Sequence, residues 1–220
     1  MEMTDRLNKN FLVQGWLVIL LCLVFGGSLT AVQLTLSPVI EANKKNEILQ
    51  IIPGLISEEN STAINKEATL PFTVSPFYVN SEKQGRHLSY AVFEAKDKDG
   101  NISGWAARAS GQGYADKIEL LLGLNPEAEK ITGLFILEQK ETPGLGNKIS
   151  EIKWRDQFKG KKTDKAISAI KGKAVNANEI DAITGATISS KSVCRIINQM
   201  VGDIRPPLKM KLEESVHEKK

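Results

Sequence analysis

The residues that most often carry inorganic chemistry are scarce in this chain. Two cysteines, Cys22 and Cys194, and two histidines, His87 and His217, occur in 220 residues. No CxxC or CxxCH is present, which argues against iron–sulfur, zinc and covalent c-type haem sites. Neither histidine sits in a spacing that suggests a metal site, so none is expected. Cys22 lies in an apolar run, which argues against a bridge to Cys194, and Cys194 reads as a small buried hydrophobe. Net charge is only +3 and the basic residues are scattered, so nucleic acid is not an expected partner. The densest basic run, KGKKTDK at 159–165, reads as a solvated loop. Any redox chemistry here would need an organic cofactor.

Charge is also absent from Phe11 to Ile40, where FLVQGWLVILLCLVFGGSLTAV is strongly apolar. About 20 such residues cross a bilayer as a helix. The run exceeds the about 7–15 residues of a signal peptide's apolar region, and no A-x-A-like cleavage site follows it. An uncleaved anchor over 11–34 is therefore expected, with membrane lipid around it and Trp16 at an interface. Arg6 and Lys9 nearly balance Lys44 and Lys45, so charge alone does not orient it.

After the anchor, IEANKKNEILQIIPGL reads as a separate helix ended by Pro53-Gly54. Glu58 to Asn80 is polar and reads as a loop. LSYAVFEA (88–95) and ISGWAARAS (102–110) form an expected hairpin around Asp99-Gly100, and KIELLLGL (117–124) pairs with KITGLFILE (130–138). Residues 150–158 look helical. A final helix over 189–204 repeats Val193, Ile196, Ile197, Met200, Val201 and Ile204 at helical spacing, with Arg205-Pro206-Pro207 as its stop and a disordered charged tail beyond. No internal repeat occurs. The fold expected is α+β, an antiparallel sheet with flanking helices behind a single amino-terminal membrane helix. Its divisions are a tail (1–10), the anchor (11–34), a helix and polar connection (35–87), one domain (88–205) and a charged tail (206–220).

Two stretches concentrate functional groups. In DAITGATISSKSV (181–193), Thr184, Thr187, Ser189, Ser190 and Ser192 surround Gly185-Ala186 just before the last helix. One or two hydroxyls would suffice as a helix cap. Five, beside two small residues, equally suit a backbone that approaches a phosphate at a helix start. GATISSKS partly matches a P-loop, but Ser190 replaces its second glycine and no parallel α/β alternation surrounds it. In QKETPGLGNKI (139–149), Pro143, Gly144 and Gly146 make a tight loop after a strand, with Glu141 and Thr142 at its entrance.

Together these stretches resemble the membrane-anchored FMN-binding family of the Rnf electron-transport complex G subunits, related to the C subunit of the sodium-translocating NADH:quinone oxidoreductase. The family's D-x-x-[ST]-G-A-[ST] pattern is filled by Asp181, Thr184, Gly185, Ala186 and Thr187, and ETPGLG stands intact at Glu141 to Gly146. The anchor and GYADKIELLLGLN (113–125) fit as well, so the resemblance covers most of the chain. It implies that residues 88–205 are the FMN-binding domain and that FMN is joined by a phosphoester to Thr187, not Thr184. A magnesium-dependent flavin transferase, using FAD as donor, would install it. Asp181, Gly185, Ala186 and Thr187 would be read by that transferase. Glu141, Thr142, Leu145, Gly146, Thr184, Gly185 and Ala186 would surround the cofactor. The implied function is a redox relay among the other membrane subunits of an ion-translocating ferredoxin:NAD⁺ oxidoreductase, not a complete enzyme, with its domain on the extracytoplasmic side of the bacterial inner membrane. The quinone-reductase subunit, or an anchored FMN-binding sensor or assembly protein, is the alternative.

Overall fold

The computed structural model describes residues 11–56, 73–83 and 86–217. The expected tail at 1–10, the first part of the polar excursion and the last three residues lie outside the described residues. The chain divides into two units, Met1–Glu47 and Ile48–Lys220.

The described part of the first unit is entirely helical and belongs to α1, Phe11–Ile56. Trp16, Leu21, Phe25 and Leu29 are all exposed, and the helix is long and apolar enough to cross a membrane. Its hydroxyls do not go unsatisfied: Ser28, Thr30, Thr35 and Ser37 each donate to the carbonyl four residues back, at 2.7–2.8 Å. Such back-bonding lets a hydroxyl sit in an apolar stretch without an orphaned donor.

Two helices were expected, an anchor over 11–34 and a second from Ile40, and the structure shows one. Nor does Pro53 end it. A proline inside a helix costs about 3 kcal/mol, but Ile48, Ile51, Ile52, Leu55 and Ile56 are all buried on either side of Pro53. They pack with Phe93, Ala95, Ala106 and Leu121 in one apolar cluster of the second unit. Burial at about 1.5–3 kcal/mol per side chain outweighs the lost hydrogen bond.

The second unit is organised by a five-stranded antiparallel meander in the order β1-β2-β3-β4-β5. These strands are Thr73–Lys83, Arg86–Lys96, Ile102–Gln112, Lys117–Leu124 and Ile131–Glu138. Both expected hairpins are present, with Trp105 opposite Glu94 and Leu122 opposite Leu134. β4 is buried on both faces from Ile118 to Leu124, which explains its apolar stretch Leu120–Leu122, and the one charge within it, Glu119, is paired with Arg108. β1 begins inside the stretch expected to be a loop, Glu58 to Asn80, and runs past its end. Its Pro76 marks it only as an edge strand, where a missing N–H faces no partner, and it pairs with β2 along its whole length.

The second face of the sheet carries the larger cluster, filled by α3, Thr187–His217. All six side chains expected on its apolar face, Val193 to Ile204, are buried. The expected stop at Pro206-Pro207 is overridden. Leu208 beyond it is fully buried, and Lys211 Nζ lies 3.7 Å from the Phe77 ring centroid and 3.4 Å from the buried Glu94 carboxylate. These contacts hold the segment after the prolines in helical register against β1 and β2. Between β5 and α3 lie a 3₁₀ turn (Gly146–Ser150), the short α2 (Ile152–Arg155), a second 3₁₀ turn (Asp156–Phe158) and the parallel pair β6 (Ser168–Ile170) and β7 (Glu179–Asp181).

Cys194 sits inside this core, and burial pushes its thiol up to about 12. A pKa raised above the ordinary value keeps the unreactive thiol form at all physiological pH. Iodoacetamide labelling between pH 7 and 9, read by peptide mass, is expected to leave Cys194 unmodified in the folded protein and to modify it fully in denaturant.

Candidate functional site

The sequence around Asp181–Val193 folds as a strand, a tight turn and a helix start. Ile183 to Ala186 close a turn in which the Ala186 N–H donates to the Ile183 carbonyl at 2.9 Å. Its third residue has a φ of +82°, a conformation open to glycine, and here it is Gly185. A Cβ at Gly185 would also stand 2.9 Å from Leu145, so this glycine lets the ETPGLG loop approach the turn.

The excess of hydroxyls resolves into separate tasks. Ser190, fully buried, accepts the Ile183 N–H and donates to the Ala186 carbonyl, both at 3.0 Å, clamping the turn to the first coil of α3. Ser189 donates to Glu141 Oε2 at 2.6 Å. Ser192 accepts from Arg195 at 3.2 Å, and Arg195 also donates to the Gln112 carbonyl. None of the three serines caps a helix amide. Thr184 and Thr187 are left: among the described residues neither hydroxyl has a hydrogen-bond partner, and both line one cavity. The amides of Thr187, Ile188 and Ser189 likewise have no side-chain cap among the described residues, as expected of free donors in a first helical turn.

That cavity measures about 970 Å³. It brings together Thr142, Leu145 and Gly146 from one motif and Thr184 to Thr187 from the other, about 40 residues apart in sequence. Sequence reasoning assigned no role to Tyr114, Lys171 or Lys191, which also line it. Lys191 stands one helical turn after Thr187; Lys171 rides on the exposed loop after β6, and nothing in the local sequence signals that it would reach this place. Among the described residues no carboxylate lines the cavity, so its two lysines give it a positive lining. A large cavity with free helix-start amides, free hydroxyls, two cations and apolar walls at Leu145 and Ile188 fits a phosphate-bearing, mostly apolar planar group such as FMN.

Two residues expected at the cofactor or the transferase have other partners. Glu141 is buried behind the cavity, where Oε1 accepts the Tyr114 and Ala115 amides at 2.9 and 3.2 Å and Oε2 accepts the Ser189 hydroxyl. One carboxylate thus joins the β3–β4 turn, the ETPGLG loop and the start of α3. Gly146 makes room for it, since a Cβ there would lie 2.9 Å from both Glu141 Oε2 and Ser189 Oγ. Half-buried Asp181 uses Oδ1 to accept the Ala174 N–H at 2.6 Å, and its carbonyl accepts the Trp154 indole N–H at 2.9 Å. It fixes the loop between β6 and β7 on one side and α2 on the other. Replacing Glu141 with Gln puts an NH₂ where an acceptor is needed. That change is expected to cost about 1–3 kcal/mol, read as a Tm lowered by several degrees with the fold retained by circular dichroism.

Residues 113–202 match the family model of the FMN-binding domain. The chain is 38% identical over 105 residues to the G subunit of the Na⁺-translocating ferredoxin:NAD⁺ oxidoreductase complex of Acetobacterium woodii, covering 47% of this chain and 50% of that protein. It is 37% identical over 110 residues to the G subunit of the proton-translocating complex of Clostridium ljungdahlii, covering 50% and 58%. The chain therefore spans about half the length of these curated relatives. The G subunit of an ion-translocating oxidoreductase complex of Haemophilus influenzae aligns over 86% of both chains at 28% identity. In fold, NqrC of Shewanella oneidensis superposes with a TM-score of 0.65 at 19% identity, over 79% of this chain and 99% of that one. The residues that line the cavity joining the two motifs all lie within the stretch that matches the FMN-binding domain model.

Proposed function

We propose that this chain is a membrane-anchored electron carrier holding FMN through a phosphoester to Thr187, as the G subunit of an ion-translocating ferredoxin:NAD⁺ oxidoreductase. One observation carries the reading: of the hydroxyls around the turn, Thr187 is at once in the cavity, free of a partner among the described residues and the first residue of α3. A phosphate bonded there meets free helix-start amides and Lys191. A flavin transferase would make the attachment: the Thr187 oxygen would bond to the FMN-side phosphorus of FAD as the bond to the AMP phosphate broke, and AMP would carry off the hydroxyl proton. Thr184, on the turn before the helix, has a free hydroxyl but lies outside the helix start.

When bound, the flavin supplies one- and two-electron chemistry. The chain's residues bind and orient. Leu145 and Ile188 offer apolar surface, Thr142 and Gly146 shape the loop wall, and Gly185 and Ala186 keep bulk away from the acceptor hydroxyl. Asp181 shapes the segment that a transferase would read through its hold on Ala174, and Glu141 fixes the three segments around the cofactor. Residues 88–205 would serve as the working domain, on the extracytoplasmic side, with partner subunits of the complex and lipid around α1. The 38% identity over 105 residues to a ferredoxin:NAD⁺ oxidoreductase G subunit, against 32% over 108 residues to a quinone-reductase C subunit, favours the first complex.

Intact mass after co-expression with a flavin transferase is the test. One FMN is expected on the wild type, on Thr187→Ser and on Thr184→Ala, and none on Thr187→Ala. An adduct that survives Thr187→Ala removes Thr187 as the acceptor, and wild type that stays bare beside a flavinylated control protein removes the covalent-carrier reading and leaves the sensor or assembly alternative.

A further inference from the structure

Tyr114 is an anomaly in an otherwise well-anchored turn. Its backbone is fixed on every side: its own N–H and that of Ala115 go to Glu141, and the Gly113 N–H donates to the Asp116 carbonyl at 2.8 Å. Lys140 pairs with Asp116 at 3.8 Å. Yet the ring at the end of this rigid stem is 63% exposed, and among the described residues its hydroxyl has no hydrogen-bond partner. A large aromatic side chain left in water contributes little to folding. This one is the sole aromatic among the described residues lining the cavity that holds Thr187. The same Glu141 carboxylate fixes its stem, the ETPGLG loop and, through Ser189, the helix that presents Thr187.

We propose that Tyr114 is the stacking platform of the cavity: its phenol ring lies against one face of the isoalloxazine of a flavin whose phosphate end is held at Thr187. This rests on the FMN reading above and adds a residue to it. A planar π-system prefers an offset-stacked aromatic partner to aliphatic contact alone. The remaining walls offer only aliphatic groups, glycine, hydroxyls and lysine. Because the stem is held by backbone hydrogen bonds, the ring can swing about its side-chain torsions without disturbing the turn, opening for the transferase and closing on the flavin. A tyrosine in contact also quenches flavin emission, since the phenol passes an electron to the excited ring and recovers it on return to the ground state.

The experiment compares flavin fluorescence of the full-length, transferase-loaded protein before and after denaturation, for wild type, Tyr114→Leu and Tyr114→Trp. Wild type is expected to be several-fold dimmer folded than denatured, Tyr114→Leu to recover most of that loss, and Tyr114→Trp to be at least as dim as wild type. A Tyr114→Leu protein as dim as wild type overturns the proposal. Denatured intensity reports loading, so equal loading with unaltered quenching sinks Tyr114 alone, whereas absence of bound flavin in every sample sinks the covalent reading. In that event the same folded ratio is read with saturating free FMN, where brightness equal in all three proteins again overturns the stacking role. Because the ring is exposed and the stem is held through its backbone, neither substitution removes a buried contact.

Discussion

The site depends on one buried carboxylate. Glu141 accepts three hydrogen bonds, two from backbone amides after β3 and one from the Ser189 hydroxyl on α3, while its own backbone N–H donates to the Gln139 side chain at 2.8 Å. A buried anion is tolerated when donors replace its water. Here those donors come from segments far apart in sequence, so solvating the charge and assembling the cavity are a single event. The crowding around it has the same origin: Gly146 can only be glycine while both Glu141 Oε2 and Ser189 Oγ lie within van der Waals reach of its missing Cβ. The short residues of ETPGLG are thus as much about housing a carboxylate as about making a turn.

That coupling explains how much of the site is legible in the sequence. The two motifs are visible as residue strings, and the structure brings most of their residues to one cavity. The division of labour among the hydroxyls is not visible, because it is set by which way the helix turns Thr187, Ser189, Ser190 and Ser192 and by the turn that holds Thr184 ahead of it. Glu141 also looks like a cofactor contact in sequence, where a polar residue at a loop entrance gives no sign that its partners lie behind the pocket. Lys171 is illegible for a different reason: the loop between β6 and β7 is positioned by Asp181 holding the Ala174 amide, a contact with no local signature.

The fold is legible where periodicity is local, and the local rules fail at prolines. Alternation and turn residues locate β2 to β5, and helical spacing locates the buried face of α3. Pro53, Pro76 and Pro206-Pro207 each read as an interruption. At the helical prolines tertiary contact outweighs the lost N–H, since buried isoleucines flank Pro53 and Leu208 with Lys211 docks the segment beyond Pro207, while Pro76 sits on an edge strand where no partner is lost. A proline weakens a helix by about 3 kcal/mol, and one or two buried aliphatic side chains recover that. Local breaker rules are therefore trustworthy mainly for segments that pack against nothing.

The last two turns of α1 carry a practical consequence. Ile48, Ile51, Ile52, Leu55 and Ile56 are core residues of the second unit although they belong to the same helix as the apolar run. At about 1.5–3 kcal/mol apiece, their removal would take away an amount comparable to the roughly 5–15 kcal/mol that holds a whole domain together. A detergent-free version made by deleting the hydrophobic stretch must therefore start upstream of Ile48. One that starts at the first strand would bare the apolar sheet face around Phe93 and Leu121, and would be expected to precipitate during expression.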